Sequence, residues 1–165
     1  MRRSWTVAPL VEIADLPKLL APEARLLGLD VGSKTVGLAL SDVTRSIATP
    51  YHTLRRTKFT KDAEAIREVI EQNGVSGLVI GLPLNLDGTE GPRAQSTRAF
   101  ARNLARHIAA PIAFWDERLS TAAVERHLIE ADASRKRRAE VIDRMAAAYI
   151  LQGALDRLRR LQTKP

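Results

Sequence analysis

Leu26-Leu-Gly-Leu-Asp-Val-Gly-Ser-Lys-Thr-Val-Gly-Leu-Ala-Leu-Ser-Asp42 holds two apolar runs separated by four residues, with one carboxylate inside the first. Apolar residues fill both parities of Leu26 to Val31, the pattern of a strand covered on both faces. Val36 to Leu40 make a second strand. Gly32 to Thr35, between them, carry the glycine and short polar residues of a hairpin. Asp30 is the odd residue in the apolar run. An ionised carboxylate is expensive to bury unpaired. Asp30 therefore meets a metal, a cation or an open cleft, or else caps the turn through local main-chain hydrogen bonds. The first reading leads, and it needs partners from elsewhere in the chain.

Working outward, a third and weaker strand spans roughly residues 46–54, where Pro50 points to an edge position. Residues 61–72 then turn helical, with Ala65, Ile66, Val69 and Ile70 on one side and Asn73-Gly74 as the stop. Gly77 to Leu82 is a short continuous apolar run of the kind found in a central strand. Strand, helix, strand at this spacing implies parallel pairing. Residues 83–91 form a loop at the C-terminal end of that strand, where open α/β sheets place their ligands. A helix follows from about Pro92 to His107, then a strand from Ala110 to Trp115. Ser120 or Thr121 can cap a helix to about Ala131. The last helix runs from roughly Arg137 to Leu161, with Val141, Ile142, Met145, Tyr149, Gln152, Leu155 and Leu158 as its expected core face. Asp143 falls beside that stripe, among Ala139, Ala146, Ala147 and Ile150, whose small side chains permit close approach to a sheet.

The expected fold is one α/β domain over residues 25–161, a mixed five-stranded sheet of three antiparallel strands followed by parallel strands, flanked by helices. Residues 1–24 form an N-terminal extension that packs as an arm, with Pro17 and Pro22 limiting any helix there. At 165 residues the chain is long enough for one core. Its 45% hydrophobic and 27% charged content are those of a soluble globular protein. The chain has no cysteine, which excludes disulfides, zinc thiolates and thiol nucleophiles. No apolar run approaches the roughly 18 residues of a membrane span. The start, Met1-Arg-Arg-Ser-Trp5, has charge but no apolar core or small-residue cleavage site after it, so no signal peptide is expected. No membrane partner and a cytoplasmic location are expected.

A net charge of +7 favours a polyanionic partner, of which nucleic acid is the commonest. The basic residues gather at Arg55 to Lys61, at Arg135 to Arg138 and in the tail from Arg157 to Lys164. Three places hold carboxylates that the strand order can bring to one end of the sheet: Asp30, the pair Asp116-Glu117, and Asp143. Oxygen-only carboxylate sites suit Mg²⁺ or Mn²⁺. Two such ions about 4 Å apart would clamp a phosphodiester and activate water. Other schemes find little support. His52, His107 and His127 are isolated, no G-x-S-x-G elbow surrounds a serine, and no Walker A sequence is present.

Four blocks, Gly28 to Asp42, Gly81-Leu-Pro-Leu-Asn-Leu-Asp-Gly-Thr-Glu-Gly91, Asp116-Glu-Arg-Leu-Ser-Thr121 and Asp143-Arg-Met-Ala-Ala147, resemble in order the YqgF/RuvX family. These are Holliday-junction-resolvase-like proteins regarded as pre-16S rRNA nucleases. The resemblance covers about residues 25–158. It implies a ribonuclease H-like fold and a metal-dependent nuclease that matures the 5′ end of small-subunit rRNA, on free pre-rRNA or in pre-ribosomal particles. Carried over by position, it implies Asp30, Glu117 and Asp143 as catalytic residues, with Asp116 beside them among the metal ligands. Lys34, Arg118 and the loop residues Asn85, Gly88 and Thr89 would orient the scissile phosphate.

Other activities use the same residues. Resolution of four-way DNA junctions would want a symmetric dimer, and the sequence leaves monomer or homodimer open. The Gly28 to Thr35 segment also looks like the first phosphate loop of actin-like ATPases, but that architecture repeats the unit and this chain has one copy. A non-catalytic nucleic-acid or ribosome-associated binding protein is the remaining alternative. An aromatic content of 4% argues against a base-stacking platform.

Overall fold

The computed structural model describes residues 7–119 and 135–162, and of residues 135–142 the main chain only. Its strands are β1 (Leu10–Val11), β2 (Arg25–Val31), β3 (Thr35–Ser41), β4 (Ala48–Arg55), β5 (Val75–Leu82) and β6 (Ile112–Asp116). Its α-helices are α1 (Phe59–Asn73), α2 (Pro92–Leu104) and α3 (Arg135–Gln162). Short 3-10 turns occupy Ile13–Leu19 and Glu117–Leu119.

Among the described residues the sheet has six strands in the order β1-β6-β5-β2-β3-β4. The opening hairpin pairs β2 with β3 antiparallel, Leu29 opposite Leu38 and Asp30 opposite Gly37. It closes with the Gly32 amide donating to the Thr35 carbonyl at 2.8 Å. β4 pairs antiparallel with β3 and lies at the edge, and a register shift between Leu38 and Ala39 accommodates Pro50. β5 runs parallel to β2, with Leu29 level with Ile80, and β6 runs parallel to β5. The Gly74 cap of α1 is left-handed at φ 61°, which turns the chain directly into β5.

The expectation of five strands is corrected to six. The extra strand is Leu10–Val11, which pairs in parallel with Ile112 and Ala113 of β6. Two residues are too few to show alternation, so the sequence carries no strand signal there. The same arm seats Leu16, fully buried, against the sheet. Burying a leucine completely contributes about 2 kcal/mol.

Two apolar layers sandwich the sheet. On one face Leu27, Leu29 and Val31 pack with Ile66 of α1 and Phe100 and Leu104 of α2. On the other, Leu26, Ala39, Val79, Ala113 and Trp115 pack under α3. The core stripe of α3 is also corrected. Ala146, Ala147, Ile150, Leu151 and Ala154 are buried beside the expected Leu155 and Leu158, whereas Met145, Tyr149 and Gln152 are only partly covered. The cause lies in the strands beneath. A Cβ on Gly28 would stand 2.7 Å from the Leu151 Cβ and 3.0 Å from the Ala147 carbonyl oxygen, so the helix settles on the strand at Ala147 and Leu151. Gln152 instead reaches sideways, accepting from the Ala48 amide at 2.8 Å and donating to the Ser46 carbonyl at 3.0 Å. The expected cap at Ser120 or Thr121, the helix to Ala131 and His127 lie outside the described residues. So do the side chains of Arg135 to Arg138, Ala139, Val141 and Ile142.

Candidate active site

Asp30 lies on the α3 face of the central strand, two residues beyond Gly28, and is 4% exposed. Its flanks are cleared by glycine on both sides. Gly37 is its partner on β3. Gly81 stands at its level on β5, one step beyond the Leu29–Ile80 pair. Each glycine lies beneath another acid. An added Cβ on Gly37 would stand 1.9 Å from the carbonyl oxygen of Asp143, and one on Gly81 would stand 2.8 Å from Oε1 of Glu117. The sheet thus gathers Asp30, Glu117 and Asp143 on one face at the C-terminal end of β2. Glu117 is 6% exposed although it follows the last strand in a 3-10 turn.

The carboxylates do not close into a finished cage. Among the described residues no three His, Cys, Asp or Glu side chains stand where they could hold one metal ion together. Asp143 accepts from the Thr35 hydroxyl on the hairpin turn. Asp30 faces the guanidinium of Arg93, whose Nη2 is 3.9 Å from Oδ1. The donor set still fits a hard divalent cation. Its acids offer oxygen only, two of them are buried, and small motions of Asp143 and Glu117 over bare glycine meet no side chain on the sheet beneath.

Asp116 stands apart from that group. Its carboxylate takes a forked pair from Arg118, Nε at 3.1 Å and Nη2 at 2.7 Å, together with the Arg118 amide at 3.0 Å. The side-chain bond from Arg118 holds the Asp116 carboxyl below the usual carboxylate range, and the pairing raises Arg118 in return. Arg118 also donates through Nη1 to the Leu86 carbonyl at 3.3 Å and lies against Gly88, where a Cβ would stand 3.3 Å from Nη1. Gly88 has φ 87°, a conformation that side chains resist.

The loop over residues 83–91 is closed on itself. The Asn85 amide donates to the Thr89 carbonyl at 2.9 Å, and Asn85 Nδ2 donates to the Thr89 hydroxyl at 2.9 Å. Thr89 in turn donates through its amide and hydroxyl to Asp87 at 3.0 and 2.6 Å. Asn85 and Thr89 therefore shape the loop, while Gly88 admits Arg118. Lys34 is exposed on the hairpin turn, one residue before the Thr35 that bonds Asp143. Arg56, from the first basic cluster, lies under that turn. It donates to the Gly32 carbonyl at 2.7 Å and lies 5.2 Å over the Phe100 ring.

Arg93 and Thr35 are the site residues that sequence reasoning missed. Arg93 carried a signal. A cation in the first turn of α2, directly after Gly91-Pro92, opposes the helix dipole and so calls for an anion nearby.

A sheet of three antiparallel strands followed by parallel ones, with helices on both faces, is the ribonuclease H-like arrangement. The solved structure of T. thermophilus RuvC in complex with Holliday junction substrate shares this fold at a TM-score of 0.50 and 12% identity, over 80% of this chain and 93% of that one. Residues 24–157 match the family model described as RuvX, Holliday junction resolvase. A protein of Paramagnetospirillum magneticum named "Putative pre-16S rRNA nuclease" is 66% identical over 90% of this chain and 96% of its own length. One of Methylocella silvestris with the same name is 59% identical over 94% and 96%. The chain belongs to the RuvX family.

Proposed function

We propose that this protein is a divalent-metal-dependent nuclease that cleaves phosphodiester bonds at the 5′ end of pre-16S rRNA, in the cytoplasm, during ribosome assembly. The observation that carries the reading is the placement of Asp30 and Glu117, both buried, with Asp143 on one glycine-floored face of the sheet. The names of the RuvX relatives supply the substrate class.

Asp30, Glu117 and Asp143 would hold Mg²⁺ or Mn²⁺, which when bound neutralises phosphate charge and makes water a better nucleophile. Asp143 exchanges its Thr35 partner for that role. Lys34, at the hairpin turn, and the Arg118-braced loop border the acids and receive the phosphates on either side of the cut. Asp116 serves by aiming Arg118, since its own oxygens already accept from three donor nitrogens of that residue. The net charge of +7 draws the flanking backbone, so binding weakens steeply with salt.

The test is cleavage of three labelled substrates: pre-16S rRNA with its 5′ leader, unstructured single-stranded RNA, and a four-way DNA junction. Each is incubated with Mn²⁺, with Mg²⁺ and with chelator. Metal-dependent cutting of the pre-rRNA is expected. The family description favours a second reading, junction resolution, which needs two copies to cut two strands. Paired symmetric nicks in the DNA junction, with the pre-rRNA left intact, would decide for it.

A further inference from the structure

We propose that Arg93 is an exchangeable counter-ion. It neutralises Asp30 while no divalent cation is bound, and it turns to a substrate phosphate once a cation takes its place. The proposal rests on the metal-dependent reading of the site and assigns a role to a residue outside the acid set.

Three observations carry it. The first is geometry. Arg93 Nη2 stops 3.9 Å from Asp30 Oδ1, beyond hydrogen-bond reach. A guanidinium built as a permanent partner makes the close forked contact that Arg118 makes with Asp116, at 2.7 and 3.1 Å. The second is asymmetry of burial. The Asp30 side chain is 5% exposed, whereas that of Arg93 is 53% exposed. The acid is fixed in the sheet and the cation is free to swing on its solvent side.

The third is position. Arg93 follows Pro92 at the start of α2, where the helix dipole disfavours a cation, so its charge is justified only by anions. Asp30 is one such anion. A phosphodiester approaching the acid site from solvent is the other, and a planar guanidinium matches its oxygens. A cation arriving at Asp30 competes with Arg93 for the same charge. Displacing the guanidinium readies it for the phosphate that the cation also attracts.

The experiment is Mn²⁺ titration calorimetry on the full chain without nucleic acid, comparing wild type, Arg93→Gln and Arg93→Lys. A second arm measures KM for the 5′-extended pre-16S rRNA at saturating Mn²⁺. Arg93→Gln is expected to bind Mn²⁺ about two- to fivefold more tightly, the effect of removing a partly exposed charge partner. Its KM is expected to rise about tenfold, the loss of a charge-assisted hydrogen bond. Arg93→Lys keeps the charge, and its Mn²⁺ affinity is expected to stay near that of wild type. Unchanged or weaker Mn²⁺ binding by Arg93→Gln overturns the proposal, as does no Mn²⁺ binding by any of the three proteins. If wild type binds Mn²⁺ but cleaves nothing, the nuclease reading fails while the titration still decides the role of Arg93.

Discussion

The main chain of Asp143 rests directly on Gly37, so closely that a Cβ there would stand 1.9 Å from the Asp143 carbonyl oxygen. Gly37 is also the cross-strand partner of Asp30. One missing side chain thus sets both the height of α3 above the sheet and the approach of the third acid to the first. Gly37→Ala must lift the helix or bend the strand. It is expected to lower stability by at least about 1–3 kcal/mol, the cost of overpacking, and to weaken Mn²⁺ binding as Asp143 moves. Urea unfolding and calorimetry check both. Gly74→Ala is the control. It meets nothing within 4 Å but sits at φ 61°, so it should cost about 1 kcal/mol and leave metal binding unchanged.

Asp116 and Arg118 act through the loop. Asp116→Asn removes the charge that aims Arg118, and with it the support under the Leu86 carbonyl. Amide hydrogen exchange at residues 84–90 should quicken, and KM should rise severalfold with a smaller change in kcat. If Asp116 were instead an essential metal ligand, Mn²⁺ affinity would collapse and the exchange would stay slow.

Asp42 gives a pH signature far from the acids. It accepts from the Thr44 hydroxyl and from the Ser46 and Ile47 amides at 2.8 and 3.0 Å. These bonds, the Thr44 bond foremost, lower its pKa from 3.8 to about 2. A lowered folded-state pKa stabilises the fold above the unfolded value, and that contribution fades as pH falls through the folded one. Asp42→Asn should therefore melt below wild type at neutral pH, with the gap closing between about pH 4 and pH 2. A gap that stays constant over that window would contradict the assignment.

Much of this was legible because the deciding patterns are local. The apolar run around Asp30, the Gly74 stop and the loop after Leu82 each depend on a few consecutive residues. The parallel pairing of the later strands follows from their spacing. Asp30, the Asp116-Glu117 pair and Asp143 join the acid set by their places in the chain, and the four-block resemblance singles out Glu117 from its pair. What the sequence concealed is non-local. β1 forms only because β6 offers an edge, and two residues show no periodicity. Hydrophobicity favours Met145 and Tyr149 on the buried face of α3, whereas the bare sheet at Gly28, Gly37 and Gly81 lets the helix settle on the side of Asp143, Ala147, Ile150 and Leu151. Asp116 and Glu117 are adjacent in sequence, yet the turn after β6 sends one to Arg118 and the other over Gly81.

The most direct test of the central claim is single-turnover cleavage of 5′-extended pre-16S rRNA in Mn²⁺ by wild type and by Asp30→Asn, with unfolding midpoints measured on both. The substitution removes the buried charge but keeps the shape, so the variant should fold. The role of Asp30 as a metal-holding acid requires that the variant cleave at least about a hundredfold more slowly, the several kcal/mol that a metal ion's charge stabilisation supplies. Cleavage by Asp30→Asn at the wild-type rate would contradict it.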